Sequence, residues 1–316
     1  MRQYALRRLA YLPAIAFAVS VITFFTLRLP WAGDPVVLMA GQNASVEQHQ
    51  RIREDLGLDD PLPVQFVSWL GDLVRGDFGT TYRGRQPVWD EVVARFPPTF
   101  EILFLSVLFT TVFGTTFGVV SAVRQNSAAD HGLRLFAVFG QSIPDFFLLI
   151  LLIVIPSIWW NYSPPVGGHV SIFEHPWRNL RLYLPPTLLL SVGGSAALMR
   201  VTRSAMLEVL RQDYIRTARA KGLPGRAVIL GHGLRNALIP CVTLIGAYIV
   251  ALFFGAVILE QVFSINGLGQ FFLVSAVAFD FPVIQFLVVY TAIVVIVINL
   301  VVDLSYAVID PRVKYR

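Results

Sequence analysis

Charge is the scarcest resource in this chain. Charged residues make up 14% of the 316 and hydrophobic ones 55%, against about 25% charged in soluble domains. So little charge excludes an ordinary water-soluble globule, and nothing in the chain suggests a nucleic-acid partner. A lone cysteine, Cys241, excludes an internal disulfide and a cysteine-built metal site. The five histidines (His49, His131, His169, His175, His232) form no HxxxH or HxxE pattern, so no metal is expected. Lysine is nearly missing: Lys221 and Lys314 stand alone among 25 basic residues. Neither occupies a GxxxxGK[ST] context, so the chain carries no P-loop of its own. Any nucleotide that drives it belongs to another subunit.

What the chain has instead is long apolar runs. A helix needs about 20 apolar residues to cross the hydrocarbon core. Five charge-free segments meet or approach that length: Leu9–Leu27, Ile102–Val123, Leu182–Met199, Ala237–Leu259 and Phe281–Val302. A sixth, Leu135–Tyr162, contains one acid, Asp145. Leu9–Leu27 follows Arg2, Arg7 and Arg8 as a cleaved signal would. Its apolar run is too long for a signal, however, and no small-x-small site follows, so it is read as a retained span. The expected class is an all-α polytopic membrane protein with about six spans.

Basic residues orient it. The segment between the fourth and fifth spans carries Arg200, Arg203, Arg211, Arg216, Arg219, Lys221, Arg226 and Arg235 against Glu208 and Asp213. The N-terminus is basic and the C-terminal tail holds Arg312, Lys314 and Arg316. Glu260–Asp280 has no basic residue. The positive-inside rule puts both termini and the second and fourth loops in the cytoplasm. The expected organisation is a tail and first span (1–29), an outward helical subdomain (30–101), a core of five spans (102–308) with a cytoplasmic loop at 200–236, and a cytoplasmic tail (309–316).

Two connections exceed simple turns. In the outward one, Ser45 and Gln48 form a capping-box pair opening a helix that Gly57 closes. Val64–Val74 follows Pro61 and Pro63 and stops near Gly76, and Val88–Phe96 stops at Pro97-Pro98. It reads as a spacer or, better, as a docking surface. In the cytoplasmic one, Ser204–Ala220 has helical composition, Gly222 suits a C-terminal cap and Pro224 the first turn of a second helix. Composition by itself makes that loop a basic connector.

The loop reads Asp213-Tyr-Ile-Arg-Thr-Ala-Arg-Ala-Lys-Gly-Leu-Pro224, followed by Leu234-Arg-Asn-Ala-Leu-Ile-Pro240. It resembles the EAA-type coupling loop of ABC importer permeases, in the version of the oligopeptide/dipeptide (peptide/nickel) branch. The likeness covers nearly the whole chain. It includes LGLDDPLPVQFVSWLGDLVRGDFGTTY (Leu56–Tyr82), PPTFEI before the second span, LEQVFSINGLGQ (Leu259–Gln270) and IDPR (Ile309–Arg312). Arg216 and Thr217 replace the glutamate and first alanine that name the motif, and Asn266 stands where a proline is commoner.

The resemblance implies a type I ABC importer permease fold and a pore for peptides; nickel and other small solutes use similar permeases. It implies that Asp213, Tyr214, Arg216, Thr217, Ala218, Arg219, Ala220, Lys221, Gly222 and Leu223 form a coupling helix on an ATPase, with Arg235, Asn236 and Pro240 ending the loop. The small residues Ala218, Ala220 and Gly222 would allow close backbone approach. ATP and Mg would sit on two cytoplasmic ATPase subunits, and this chain would bind no cofactor and catalyse nothing. A related second permease would complete a heterodimeric pore in the bacterial inner membrane, and an external binding protein would deliver the solute. Glu260, Asn266, Gly267 and Gly269 would belong to an outward gate.

Asp145 is costly in hydrocarbon and so is a candidate cavity residue for a peptide amino group; the plainer role is an interhelical hydrogen bond. Gln141, Gln285 and Asn299 read as polar joints between spans. An intramembrane enzyme would need a paired constellation, which one acid and no histidine within the spans do not supply. An ion-coupled transporter would favour several buried charges and leaves the basic elbow unexplained.

Overall fold

A computed structural model describes residues 2–29, 35–40, 45–55, 57–82 and 84–309. The tail from Asp310, with Arg312, Lys314 and Arg316, lies outside the described residues. The helices in order are α1 (Arg2–Thr26), α2 (Pro35–Ala40), α3 (Val46–Asp55), α4 (Leu62–Arg75), α5 (Val88–Val123), α6 (Ala128–Ser142) and α7 (Asp145–Trp160). They continue with α8 (Pro176–Leu210), α9 (Asp213–Ala220), a π-helical segment (Ala227–Leu234), α10 (Arg235–Phe263), α11 (Leu268–Val277) and α12 (Phe281–Ile309). Among the described residues the only β pairing is an isolated bridge from Thr80 to Pro87.

Among the described residues, four helices are long and apolar enough to cross a membrane: α5, α8, α10 with its π-helical lead-in, and α12. The pair α6–α7 makes a fifth if counted as one broken span, and α1 adds a shorter apolar stretch, Ala10–Thr26. The third span departs from the expected single helix, because α6 and α7 meet at 96°. Pro144 is the cause. A residue preceding proline is pushed out of the α region, and Ile143 is extended (φ −95°, ψ 122°). The chain therefore breaks and restarts, and Asp145 opens a new helix.

Contrary to the expectation from sequence, Pro97-Pro98 does not stop the third outward stretch: α5 runs unbroken from Val88 to Val123. Two prolines leave the carbonyls of Val93 and Ala94 without helical donors. Both residues are exposed and precede the apolar run, so these oxygens are not sealed in a dry interior.

The chain divides into two compact units. Of the described residues one holds 2–5, 98–266 and 298–309, and α8 is its central helix, packed on α6, α7 and α10. Lipid tails are as apolar as leucine, so close contact and hydrogen bonds hold helices together there more than water exclusion does. Gly114 and Gly118 of α5 supply the contact. A Cβ on Gly114 would lie 2.7 Å from the Leu198 side chain, and one on Gly118 2.5 Å from that of Thr202. The spacing is the small-xxx-small pattern that lets two backbones meet.

The other unit holds 6–97 and 267–297. Val88, Val92, Leu268, Val283, Phe286 and Leu287 form its core. Phe24 of α1 is buried beneath Phe66 and Trp69 of α4, with ring centroids at 5.2 and 5.6 Å. The capping box appears as expected: Gln48 Oε1 accepts from the Ser45 amide and Ser45 Oγ from the Gln48 amide. Gly76 ends α4 at φ 84°, a left-handed conformation that glycine adopts without strain. The Tyr82 amide donates to Asp280 Oδ2 at 2.9 Å, tying the bridged loop to the start of α12. Burial raises the Tyr82 phenol above its usual range, with Arg28 opposing the rise.

Candidate functional site: the α8–α10 elbow

The elbow begins where α8 runs past its apolar stretch to Leu210. Ser204–Ala220 is not one helix: Gln212 is extended (φ −69°, ψ 149°) and α9 starts afresh at Asp213. No glycine or proline causes this break. Ile215 and Ala218, three residues apart, share one face of α9 and turn inward onto Val209, Leu210 and Val228. Ile215 is wholly buried. Burying such a side chain stabilises by about 1.5–3 kcal/mol relative to leaving it in water, enough to redirect a helix of two turns.

The opposite face stays exposed. Asp213, Tyr214, Arg216, Thr217, Arg219, Ala220, Lys221, Gly222 and Leu223 are all on it or just beyond it. Ala218 therefore packs inside the elbow, and Ala220 and Gly222 are the small residues presented outward. Thr217 Oγ1 donates to the Asp213 carbonyl at 3.1 Å. Arg216 lies 3.5 Å from Asp213, a surface pair worth under about 1 kcal/mol. Gly222 takes φ 79°, and the Pro224 carbonyl accepts from Ala227 and Val228 to open the next turn.

The far end of the elbow returns to α9. Asn236 Nδ2 donates to the Tyr214 hydroxyl at 3.0 Å and to the His232 carbonyl at 2.8 Å. Arg235 and Pro240 are exposed. The segment between, Ala227–Leu234, is π-helical, a geometry that is rare and concentrates at functional sites.

An ion-pair hub that no sequence motif marks stands at the neighbouring helices. Asp130, fully buried in the first turn of α6, binds Arg203 of α8 in fork geometry, at 2.9 Å (Nε to Oδ1) and 3.0 Å (Nη2 to Oδ2). Ser121 Oγ donates to Oδ1 at 2.5 Å and the Asn126 amide to Oδ2 at 3.0 Å. These donors favour the charged carboxylate and bind α8 to the α5–α6 turn. The one sequence signal was Ser127 with Asp130 as a helix start, since Ser127 Oγ accepts from the Asp130 amide.

The other candidates lie elsewhere. Asp145 opens α7 with its Oδ1 over Gly193 of α8, 3.1 Å from where a Cβ would stand. Asp145 has no hydrogen-bond or ion-pair partner among the described residues. Next along α8, Gly194 admits the ring of Tyr248, whose hydroxyl donates to the Leu190 carbonyl at 3.0 Å. Gln141 joins spans, accepting from Arg200. Glu260 is buried inside α10 and accepts from Thr99 Oγ1 at 2.6 Å. Asn266 is exposed, and Gly267 caps α11, which contains Gly269.

A polytopic helical membrane protein with an elbow of this build is the class these observations define. Its carboxyl-terminal two thirds, residues 114–315, match the family model of the binding-protein-dependent transport system inner membrane component. Residues 1–103 match that of the N-terminal part of such components. The chain belongs to this family. It is 37% identical over 317 residues to the oligopeptide transport system permease protein AppB of Bacillus subtilis, covering all of both chains. It is 36% identical over 340 residues to the dipeptide transport system permease protein DppB of Escherichia coli K12. Against the glutathione transport system permease protein GsiC of the same strain the identity is 39% over 317 residues, and both matches also cover both chains in full. A chain of the MetNI methionine ABC transporter in an inward-facing conformation shares the fold, with a TM-score of 0.51, 19% identity, and coverage of 71% of this chain and 94% of that one.

Proposed function

We propose that this chain is one half of the translocation pore of an ATP-driven importer, that peptides are its cargo, and that α9 is the part that receives the work of ATP hydrolysis. The carrying observation is the two-faced build of α9. Ile215 and Ala218 anchor it to Val209, Leu210 and Val228, while Tyr214, Arg216, Thr217, Arg219 and Ala220 stay exposed. A helix fixed behind and open in front transmits a push to α8 and α10, which flank it. The permease names of the relatives above support peptides as cargo.

In this reading both termini and the elbow lie in the cytoplasm and the membrane is the bacterial inner membrane. Two ATPase subunits hold ATP and Mg and cradle α9; a related second permease completes the pore. An external protein delivers the peptide to the outward subdomain at 30–101. The elbow biases a two-state element between its inward and outward openings, and the chain itself performs no chemistry. Arg216, Arg219 and Lys221 face acidic side chains of the ATPase. Exposed pairs contribute at most about 1 kcal/mol each, so shape around Ala220 and Gly222 holds the joint and charge steers it.

Reversing all three cations (Arg216→Glu, Arg219→Glu, Lys221→Glu) removes about 3 kcal/mol of contact, roughly a hundredfold in affinity. The variant is expected to insert normally and to lose its co-purifying ATPase. Retention of the ATPase at the wild-type ratio would overturn the reading.

A further inference from the structure

The loop between α7 and α8 brings the last turn of one and the first turns of the other to the same end of their unit. Between them lies an open crevice of about 810 Å³ lined by Tyr162, Ser163, Pro165, Trp177, Arg178 and Arg181. We propose that this crevice binds the phosphate of an anionic phospholipid.

Three observations converge on that occupant. The first is depth. The apolar run of α7 ends at Trp160 and the charge-free run of α8 begins at Leu182, so the crevice sits at the level of the headgroups. The second is composition. Trp177 is 78% exposed, Trp159 72% and Trp160 67%. Tryptophan and tyrosine concentrate at the membrane–water boundary, one part of the ring in apolar surroundings and its polar edge wet. Ile158 and Leu180, also exposed, offer an apolar flank to acyl chains.

The third is charge. Arg178 and Arg181, three residues apart, project from one side of α8. Neither has an ion-pair or hydrogen-bond partner among the described residues. Guanidinium forks match phosphate oxygens, and the hydroxyls of Tyr162 and Ser163 add donors at the same wall. Glu174 is the one acid in the whole 161–181 stretch, and it does not line the crevice. No carboxylate lines the crevice to pair with the ammonium of a zwitterionic headgroup, whereas two guanidinium groups do line it, so the site favours net negative lipids.

The test uses the transporter assembled with its partner subunits, equilibrated in mild detergent with equal phosphatidylglycerol and phosphatidylcholine of matched acyl chains. Native mass spectrometry reads which lipid stays bound. Two arginines near a headgroup favour the anionic lipid roughly thirtyfold, and Arg178→Gln with Arg181→Gln is expected to remove that preference while Arg178→Lys with Arg181→Lys keeps most of it. Equal retention of both lipids by the wild type overturns the proposal without any variant. So does an anionic preference that survives the double glutamine change, because other cations would then hold the lipid.

Discussion

Asn236 holds the hydroxyl of Tyr214 at 3.0 Å across 22 residues of sequence, closing the elbow into a loop whose end reports on its beginning. Tyr214→Phe and Asn236→Ala each remove the bond. An exposed hydrogen bond of this kind contributes about 0.5–1.5 kcal/mol. Each change is expected to lower peptide uptake modestly, and the double variant to be no worse than the poorer single one. A double-mutant cycle on uptake rates measures this, and strictly additive losses would show the bond is idle.

Gly222 at φ 79° has open space where a Cβ would go, so Gly222→Val strains the backbone without a clash. A β-branched residue in that conformation costs about 1–3 kcal/mol. The variant is expected in the membrane at near-normal abundance with ATP hydrolysis no longer driving uptake. Uptake and ATPase rates in vesicles check it; normal ATP-driven uptake would dismiss the role given to the turn.

Asp130→Asn leaves Arg203 with an uncompensated charge. Breaking a buried pair costs about 3–5 kcal/mol, whereas replacing both partners with apolar side chains of similar size is far milder. Thermal unfolding in detergent is expected to show a large loss for Asp130→Asn and substantial recovery in Asp130→Leu with Arg203→Met. An unaltered melting temperature in the single variant would mean that the hub contributes nothing to stability.

Asp145, set over Gly193, is expected to govern cargo more than assembly. Asp145→Asn should reduce uptake of peptides with a free amino group while sparing their N-acetylated forms. Loss of both in proportion to protein abundance would leave it a purely structural carboxylate.

The outward subdomain between α1 and the apolar run of α5, residues 30–98, is expected to meet the substrate-binding protein. A photocrosslinker at Gln86, which is exposed beside the Thr80–Pro87 bridge, should yield an adduct with that protein during transport. Adducts confined to the partner permease would assign the surface to pore assembly.

Much of this was legible residue by residue. Ser45 with Gln48 announced the start of α3, and Gly76 the end of α4, because caps and left-handed turns are local chemistry. Gly222 announced the turn after α9 for the same reason. Pro144 signalled a disturbance, but its local rule gives no angle, and the 96° bend depends on what α6 and α7 each pack against. Pro97-Pro98 misled, since a helix survives two prolines where the freed carbonyls stay exposed. Arg203 counted only as one more loop charge and Asp130 drew no reading at all, because a pair separated by 73 residues leaves no periodic trace.

The sequence by itself determined the apolar runs, the helical class, the turn at Gly222 and the coupling-loop pattern. Each follows from the length of a segment or from neighbours within a few bonds, where the physics is the same in any context. The tertiary structure decided which face of α9 is spent inside the elbow, which carboxylate answers Arg203, and that Asp145 lies over a glycine of α8 rather than against a cation. Those outcomes depend on which distant surface arrives to bury an apolar face or satisfy a charge, and that is set only when the helices pack.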